Sequence, residues 1–375
     1  MIEFILLRNF KSIGYAEFNV EPLTLFSGLN GVGKSSVLQS LLLLRQSKEK
    51  HILEAEGLSL TGEYSNLGVG RDVLYSNSEL DEIEINVEWE ESRFEGIFEY
   101  RERSDLLPKK SIVFGDQLDS KNVYLESLFT ESFQYLSADR ISPKSSYEVS
   151  DFAVNQRRSL GKSGEYTAHF LAEHGDILIE VTSLVHPESK SKSLIDNVNA
   201  WMSNISPGAR VVAKLIPEIN QASLHYQFEE DNGLTPQIRP QNTGFGLTYV
   251  LPVLTAILSS KVGDLIIVEN PESHLHPAGQ AALANLVALA SSAGVQIIVE
   301  THSDHFLNGV RIAVRKQHIK PEDVCVYFLG RPKSRDSGVN IQEIRIDKLG
   351  RIDHWPDFFF DQWEKSLDSL LDGDL

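Results

Sequence analysis

The sequence has little cysteine and no long apolar run. Cys325 is its single cysteine, which excludes an internal disulfide and fits the reducing cytoplasm. The longest apolar stretch, Leu247 to Leu258, contains Pro252 and is shorter than the roughly twenty residues of a transmembrane helix. The opening residues, Met1 to Phe10, lack a signal-peptide pattern. We therefore expect a soluble cytoplasmic chain without a membrane-spanning segment.

Basic residues are also scarce. Lys and Arg total 35 against 53 Asp and Glu, which gives a formal net charge of −18. An acidic surface repels phosphate backbones, so binding to nucleic acid requires a local basic patch. One basic stretch is present, formed by Arg140, Lys144, Arg157, Arg158 and Lys162. It leaves contact with nucleic acid or an acidic partner open, beside the alternative of a solvated face.

Both ends of the chain alternate short apolar strands with helical segments, which predicts an α/β fold with a parallel sheet. Near the start, an apolar strand leads into a glycine-rich turn and then a helix. The turn, Gly28 to Ser35, matches G-x-x-x-x-G-K-[ST] at every required position. In this pattern backbone N–H groups cradle phosphates, Lys34 reaches the β/γ-phosphates and Ser35 ligates Mg²⁺. The predicted nucleotide-binding residues are Asn30, Gly31, Val32, Gly33, Lys34, Ser35 and Ser36.

A second apolar strand, Leu265 to Val268, delivers Glu269 at its carboxyl end. Ligands of open α/β sheets gather at that edge, so Glu269 is predicted to hold Mg²⁺ opposite Ser35, directly or through water. Histidines follow in Ser273-His274-Leu275-His276-Pro277 and in Thr301-His302-Ser303. A transition-metal site built from these histidines and His305 is an open alternative, because neutral imidazole suits zinc.

The acidic strand end, the Pro-Glu pair, the His-Leu-His-Pro run and the Thr-His-Ser turn together resemble ABC-type ATPases of the SMC/RecF/OLD-like group. The resemblance implies ATP and Mg²⁺ as ligands and a P-loop fold with a mixed sheet. It implies that His302 contacts the γ-phosphate, and that Ser273 to Pro277 crosses a dimer interface. Thr243 and Gly244, before a buried helix, match the position of the loop that caps ATP held by the other subunit. The alternative is a turn that caps an ordinary helix. A homodimer or higher oligomer around two ATP molecules is therefore expected.

One residue departs from that group. The second position of the acidic pair, which polarises the attacking water in relatives, is Asn270. An amide orients water but does not accept its proton. Glu272, two residues further on, is the candidate replacement; without it we expect hydrolysis to be slow.

The long stretch between Lys34 and Glu269 predicts a large, strand-rich insertion. We assign the ATPase domain to residues 1–79 and 235–335, an inserted lid or docking region to 80–234, and a C-terminal segment to 336–375. The tail from Gly350 to Gln362 resembles an uncharacterised C-terminal segment of bacterial ATPases in this group. OLD nucleases of this group continue after the Thr-His-Ser turn into a Toprim nuclease domain. Few residues follow that turn here, so we expect no such domain and no DNA cleavage by this chain alone.

Three functions remain open. The first is a dimeric ATPase that controls a separately encoded effector, a nuclease or toxin in phage defence, as the resemblance implies. The second is an ATP sensor with little or no hydrolysis. The third is a RecF-like DNA-repair clamp, which salt-sensitive DNA binding would distinguish.

Overall fold

The computed structural model describes residues 1–115, 120–231, 233–331, 338–356, 359 and 370. The β-strands among them are β1 (Ile2–Phe10), β2 (Ile13–Asn19), β3 (Leu23–Gly28), β4 (Gly57–Ser59), β5 (Glu82–Trp89), β6 (Arg93–Glu99), β7 (Leu106–Phe114), β8 (Phe133–Leu136), β9 (Tyr147–Glu148), β10 (Ala209–Ile216), β11 (Gln221–Glu230), β12 (Gly233–Leu234), β13 (Leu265–Glu269), β14 (Gln296–Glu300), β15 (Val324–Gly330) and β16 (Asn340–Ile344). The α-helices are α1 (Lys34–Glu49), α2 (Ser120–Val123), α3 (Thr167–His174), α4 (Leu194–Ile205), α5 (Phe245–Leu258), α6 (Pro277–Ser292) and α7 (Asp304–Arg315).

A mostly parallel sheet forms the centre of the fold, in the order β16-β15-β3-β14-β13-β8. Its inner strands are continuous apolar runs, and every residue of β14 and β15 is buried. Such runs are typical of parallel strands that are covered on both faces. Because β3, β13 and β14 are parallel and adjacent, their carboxyl ends meet at one edge of the sheet.

An antiparallel sheet in the order β2-β1-β5-β6-β7-β4 covers one face of the parallel sheet, with α1 packed in the same apolar cluster. Leu41, Leu42, Leu43 and Leu44 are all fully buried in α1. Most residues of α1 are buried, polar ones included, as expected of a core helix that lies between two layers. The phosphate-binding turn, at the start of α1, is thereby fixed to both sheets.

The second apolar cluster fills the other face of the parallel sheet, with α3 to α7 and the small sheet of β9 to β12. The predicted buried helix after Gly246 is α5, which contains Pro252 and is buried over most of its length. Within the described part of the chain, no helix is long and apolar enough to cross a bilayer.

Several strands within the predicted insertion, residues 80–234, belong to the two main sheets. Strands β5, β6 and β7 belong to the sheet of β1, and β8 pairs with β13 in the parallel sheet. The division into domains stays a prediction, but residues 82–136 supply strands to both main sheets. Of the predicted C-terminal segment, Phe358, Phe360 and Trp363 lie outside the described residues. Phe359 is fully buried and packs edge-on against Phe328.

Candidate functional site

The turn between β3 and α1 requires glycine at two places where the chain passes close to other atoms. At Gly28, φ is 142° and an added Cβ would lie 2.1 Å from the Leu329 carbonyl oxygen. At Gly33, φ is 108° and an added Cβ would lie 2.1 Å from the Ser12 hydroxyl. Gly33 caps α1 without a side-chain hydrogen bond, so the N–H groups of Lys34 and Ser35 remain available to an anion, while the Ser36 N–H donates to the Gly33 carbonyl at 3.0 Å.

Lys34 lies folded against this turn. Its Nζ donates to the Gly28 carbonyl at 3.1 Å and to the Leu29 carbonyl at 2.6 Å, and the side chain is buried. Burial lowers the pKa of the Lys34 ammonium, and the Glu300 carboxylate opposes that shift. A buried ammonium that is held by neutral carbonyls is suited to pair with an incoming phosphate.

The turn opens into a cavity of about 370 Å³. Its lining includes six residues of the predicted nucleotide site, namely Asn30, Gly31, Gly33, Lys34, Ser35 and Ser36. The remaining lining residues are Lys11, Ser12, Glu300 and His302. Val32 is buried beneath the turn, where its carbonyl accepts a hydrogen bond from the Ser12 hydroxyl at 3.0 Å.

Two carboxylates end neighbouring strands beside this cavity. Glu269 of β13 and Glu300 of β14 are in register as direct partners. One Glu269 oxygen accepts from the Tyr135 hydroxyl at 3.0 Å and the other from the Ala138 N–H at 3.2 Å. Glu300 instead accepts the Ser35 hydroxyl at 3.1 Å through Oε1. The residue that contacts the predicted magnesium ligand Ser35 is therefore Glu300, to which the sequence analysis gave no role.

Glu300 is strongly perturbed by its surroundings. It is 5% exposed, and its Oε2 has no hydrogen-bond partner among the described residues. Burial and the neighbouring charge of Glu269 raise the pKa of Glu300 to about 7, against the opposing effects of Ser35 and Lys34. A buried acceptor without a partner is costly, and a bound cation or water satisfies it.

Asn270 and Glu272 lie at the turn after β13, where Glu272 is buried and Asn270 is half-buried. Asn270 has a φ of 44°, and its N–H donates to the Glu300 carbonyl at 2.7 Å. Glu272 accepts a hydrogen bond from the backbone N–H of His302 at 2.9 Å through Oε1. Burial raises the pKa of the Glu272 carboxyl. Glu272 therefore ties the turn that carries His302 to the end of β13.

His302 projects into the cavity near Lys34. Burial and the Lys34 charge lower the pKa of its imidazole, while a hydrogen bond to the Gly28 backbone opposes the shift. The single N–H of the neutral imidazole is held by the Gly28 carbonyl, so donation to a phosphate oxygen requires the ring to release that carbonyl.

Thr243 and Gly244 lie apart from the lining residues of this cavity. They connect the short 3-10 helix Pro240–Asn242 to α5, and Gly244 caps α5 without a side-chain hydrogen bond. Phe245, next along the chain, is 55% exposed and its ring lies 5.9 Å from that of His274. The loop and the His-Leu-His-Pro segment thus meet at one surface.

The donors at the cavity are suited to magnesium. A hydroxyl and carboxylate oxygens are the hard ligands that Mg²⁺ prefers, and it takes only one or two carboxylates alongside substrate phosphates. Within the described ranges, no group of three or more His, Cys, Asp or Glu side chains is placed to hold a metal. The histidine-based zinc alternative has no support there.

The interpretation of Arg140 as part of an exposed basic stretch is wrong. Arg140 is 2% exposed, and its guanidinium donates to the carbonyls of Glu269 at 2.8 Å and Asn270 at 2.6 Å. Arg158 donates to the Ser259 carbonyl at 2.8 Å. A charge count along the sequence does not distinguish an arginine that binds carbonyls from one that faces solvent.

The fold and the site together define the class. One strand, β14, separates the strand of the phosphate-binding turn from the strand that ends in Glu269, and an antiparallel sheet covers α1. This is the α/β fold of an ABC-type P-loop ATPase of the SMC/RecF-like group, as the sequence predicted.

Comparison with known proteins places the chain more closely. It belongs to the family described as "AAA domain, putative AbiEii toxin, Type IV TA system", which matches residues 23–308. Residues 319–370 match a family described as "Protein of unknown function (DUF3696)". No curated protein matches the sequence.

Many solved structures share the fold, and two Smc heads are among them. The first is an Smc head bound to the C-terminal winged-helix domain of ScpA, with 14% identity and a TM-score of 0.52, covering 92% of this chain and 98% of the other. The second is an Smc head with an extended coiled coil, bound to the C-terminal domain of ScpA from Pyrococcus furiosus. It has 13% identity and a TM-score of 0.51, covering 99% of both chains.

Proposed function

We propose that the protein binds ATP with Mg²⁺, hydrolyses it slowly, and closes as a homodimer around two ATP molecules to control a separate effector protein. The observation that carries the proposal is the cavity at the start of α1, where Lys34, Ser35, Glu300 and His302 meet. A helix N-terminus, a buried ammonium and oxygen donors for a hard cation form a site for a polyphosphate bound to Mg²⁺.

Each residue has a distinct task in hydrolysis. Lys34 leaves the two carbonyls that it contacts and pairs with the β/γ-phosphates, while backbone N–H groups from Asn30 to Ser36 hold their oxygens. Ser35 and an acidic strand end beside it would hold Mg²⁺, which would neutralise charge on the phosphates. His302 donates to the γ-phosphate.

Water attacks the γ-phosphorus, the bond to the β–γ bridging oxygen breaks, and a proton leaves the water. Asn270 orients this water without accepting its proton. Glu272 is the proposed acceptor, but one of its oxygens already accepts the His302 N–H. That engagement, with the amide at position 270, supports slow turnover.

Support for the dimer comes from the loop of Thr243 and Gly244. Its helix N-terminus is uncapped by side chains and lies away from the chain's own cavity. In the proposed dimer it caps the γ-phosphate held by the partner subunit. Control of an effector rests on the family, whose description names a putative toxin of a type IV toxin–antitoxin system.

Steady-state ATP hydrolysis by the purified chain tests the proposal, with Lys34→Ala and Glu272→Gln as site variants. Glu322→Gln is a matched control because Glu322 is exposed and distant in sequence from the motifs. We expect turnover to need Mg²⁺ and to disappear in Lys34→Ala, with the control unchanged. Lack of ATP binding by the wild-type chain would refute the proposed function.

An ATP-controlled switch without turnover is the second candidate, and Asn270 is the observation that favours it. In that case ATP still binds and drives dimerisation, but phosphate release stays at the background rate in the wild type and in Glu272→Gln alike. Sedimentation velocity beside the phosphate assay separates the two functions.

A further inference from the structure

The two carboxylates beside the cavity lie in different environments. β14 lies between β3 and β13, so Glu300 ends the strand next to the phosphate-binding turn and Glu269 ends the strand beyond it. Of the two, Glu300 lines the cavity together with Lys34 and Ser35. Position in the sheet therefore brings Glu300 closer to a nucleotide than Glu269.

The two carboxylates also differ in their hydrogen-bond partners. Glu269 uses one oxygen for the Tyr135 hydroxyl and the other for the Ala138 N–H, at 3.0 and 3.2 Å. These contacts hold it toward β8 and the segment that follows. Glu300 uses Oε1 for the Ser35 hydroxyl at 3.1 Å, while its Oε2 is buried without a partner among the described residues.

Cations surround the Glu300 carboxylate. Lys34 lies on one side, and Lys11, whose Nζ donates to the Gln39 side chain at 2.7 Å, also lines the cavity. Both ammonium groups interact electrostatically with Glu300. When a nucleotide binds, Lys34 pairs with its phosphates and no longer neutralises Glu300. The unpartnered Oε2 of Glu300 is then available to the Mg²⁺ that accompanies the phosphates.

We propose that Glu300, rather than Glu269, is the carboxylate that holds the Mg²⁺ of bound Mg-ATP together with Ser35. Glu269 acts as a positioning residue, fixed by Tyr135 and Ala138, that keeps the end of β13 and the Asn270 turn in place. The inference rests on the proposed function, since it concerns the same site. It moves the metal contact to a different strand from the one indicated by the sequence motif.

The test compares Glu300→Gln with Glu269→Gln. The two substitutions remove the same charge at neighbouring strand ends, and Glu322→Gln serves as the surface control. The affinity of a fluorescent ATP analogue is measured with Mg²⁺ and with EDTA. Bound Mn²⁺ is followed by electron paramagnetic resonance in the presence of ATP. Circular dichroism checks that every variant is folded.

We expect the gain in nucleotide affinity on adding Mg²⁺ to fall about tenfold or more in Glu300→Gln, since loss of even an outer-shell partner of a metal weakens metal affinity by about 10- to 100-fold. Affinity in EDTA does not fall, because the substitution removes a negative charge beside the phosphates. Glu269→Gln retains most of the Mg²⁺-dependent gain and the Mn²⁺ signal. Glu300→Asp, which keeps the charge, recovers part of the loss.

An equal or larger loss in Glu269→Gln would overturn the inference and leave the proposed function intact. So would a Glu300→Gln variant that keeps its metal-dependent gain but loses turnover, because Glu300 would then act on water rather than on metal. If the wild-type chain binds no ATP in either buffer, the proposed function fails and the inference fails with it.

Discussion

The Glu300 side chain combines burial, a like-charged neighbour and a hydrogen bond from Ser35. Burial and the Glu269 charge disfavour the ionised form, and the Ser35 hydroxyl and Lys34 only partly compensate. Because the pKa of Glu300 is raised to about 7 in the folded chain, the ionised carboxylate destabilises the nucleotide-free protein. A bound cation favours the ionised carboxylate and removes this destabilisation, so binding of the cation at Glu300 stabilises the folded protein.

Replacing Glu300 with glutamine should therefore stabilise the nucleotide-free protein. The amide removes the buried charge while keeping the size of the side chain, and we expect the free energy of unfolding at pH 8 to rise by about 1–2 kcal/mol. Urea unfolding measures the change, with Glu322→Gln as a control near zero. A lower stability in Glu300→Gln would mean that Lys34 and Ser35 outweigh burial.

Asn270 adopts a left-handed backbone conformation, with a φ of 44°. Asparagine tolerates this region, whereas other side chains with a Cβ are strained there. We expect the free energy of unfolding of Asn270→Ala to be about 1 kcal/mol lower than that of Asn270→Gly. Both variants lack the amide, but only alanine has a Cβ that is strained at this φ. Equal stability of the two variants in urea would show that the turn relaxes.

At this scale, local spacing made the phosphate-binding turn predictable. Gly28, Gly33, Lys34 and Ser35 follow one another in a fixed pattern, and the chain between neighbours leaves little freedom. Glu300 was missed because its contact with Ser35 depends on β14 lying beside β3, which is a pairing of residues far apart in the sequence. The signal was present, since Glu300 ends an apolar strand as Glu269 does.

Arg140 joins three elements of the fold. Its guanidinium reaches the carbonyl of Tyr249 in α5 at 3.2 Å, that of Ser137 after β8 at 3.1 Å, and that of Glu269 in β13 at 2.8 Å. The planar five-donor group suits such a set, and lysine does not reproduce it. The helix after the Thr243 loop is thereby linked to the acidic strand end.

Substitution of Arg140 by methionine should destabilise the protein strongly. Several buried carbonyls lose their donor, and we expect the free energy of unfolding to fall by about 2–4 kcal/mol. Arg158→Met is the matched control, since Arg158 makes a single bond to Ser259 and is less buried. Urea unfolding of both variants is the measurement, and equal effects would contradict a special role for Arg140.

Elements were easier to predict than their pairing. The apolar run of β13 was clear, because burial on both faces leaves a continuous hydrophobic signature. The assignment of β5, β6 and β7 to the sheet of β1 was not predictable, since alternation identifies a strand but not its partner. The same limit concealed the role of β8 as the edge of the parallel sheet.

For the whole molecule, the net charge of −18 and the placement of Arg140 in the interior weaken the DNA-clamp hypothesis. Electrostatic binding to DNA requires exposed cations along a groove. Arg140 and Arg158 donate to carbonyls, which leaves only Lys144, Arg157 and Lys162 of the basic stretch. Association with another protein requires no such groove. The surface formed by Phe245, Tyr249 and His274 is the part of the molecule where the proposed dimer is open to test.

Phe245 is 55% exposed at the start of α5 and packs loosely with Tyr249 and His274, at ring distances of 6.4 and 5.9 Å. Exposed aromatics beside a polar rim are typical anchors of protein interfaces. We expect wild-type protein with Mg²⁺ and a non-hydrolysable ATP analogue to sediment as a dimer. Phe245→Asp should remain monomeric, because a charge at the anchor weakens association by about tenfold or more.

Phe152→Asp is the matched control, since Phe152 is 54% exposed on the segment before Arg157. It should dimerise as the wild type does. At protein concentrations where the wild type is monomeric, Phe245→Asp should bind the analogue with unchanged affinity, because its cavity at Lys34 is intact. Dimerisation of Phe245→Asp at wild-type strength would place the interface elsewhere, and the role proposed for Thr243 and Gly244 would fall with it.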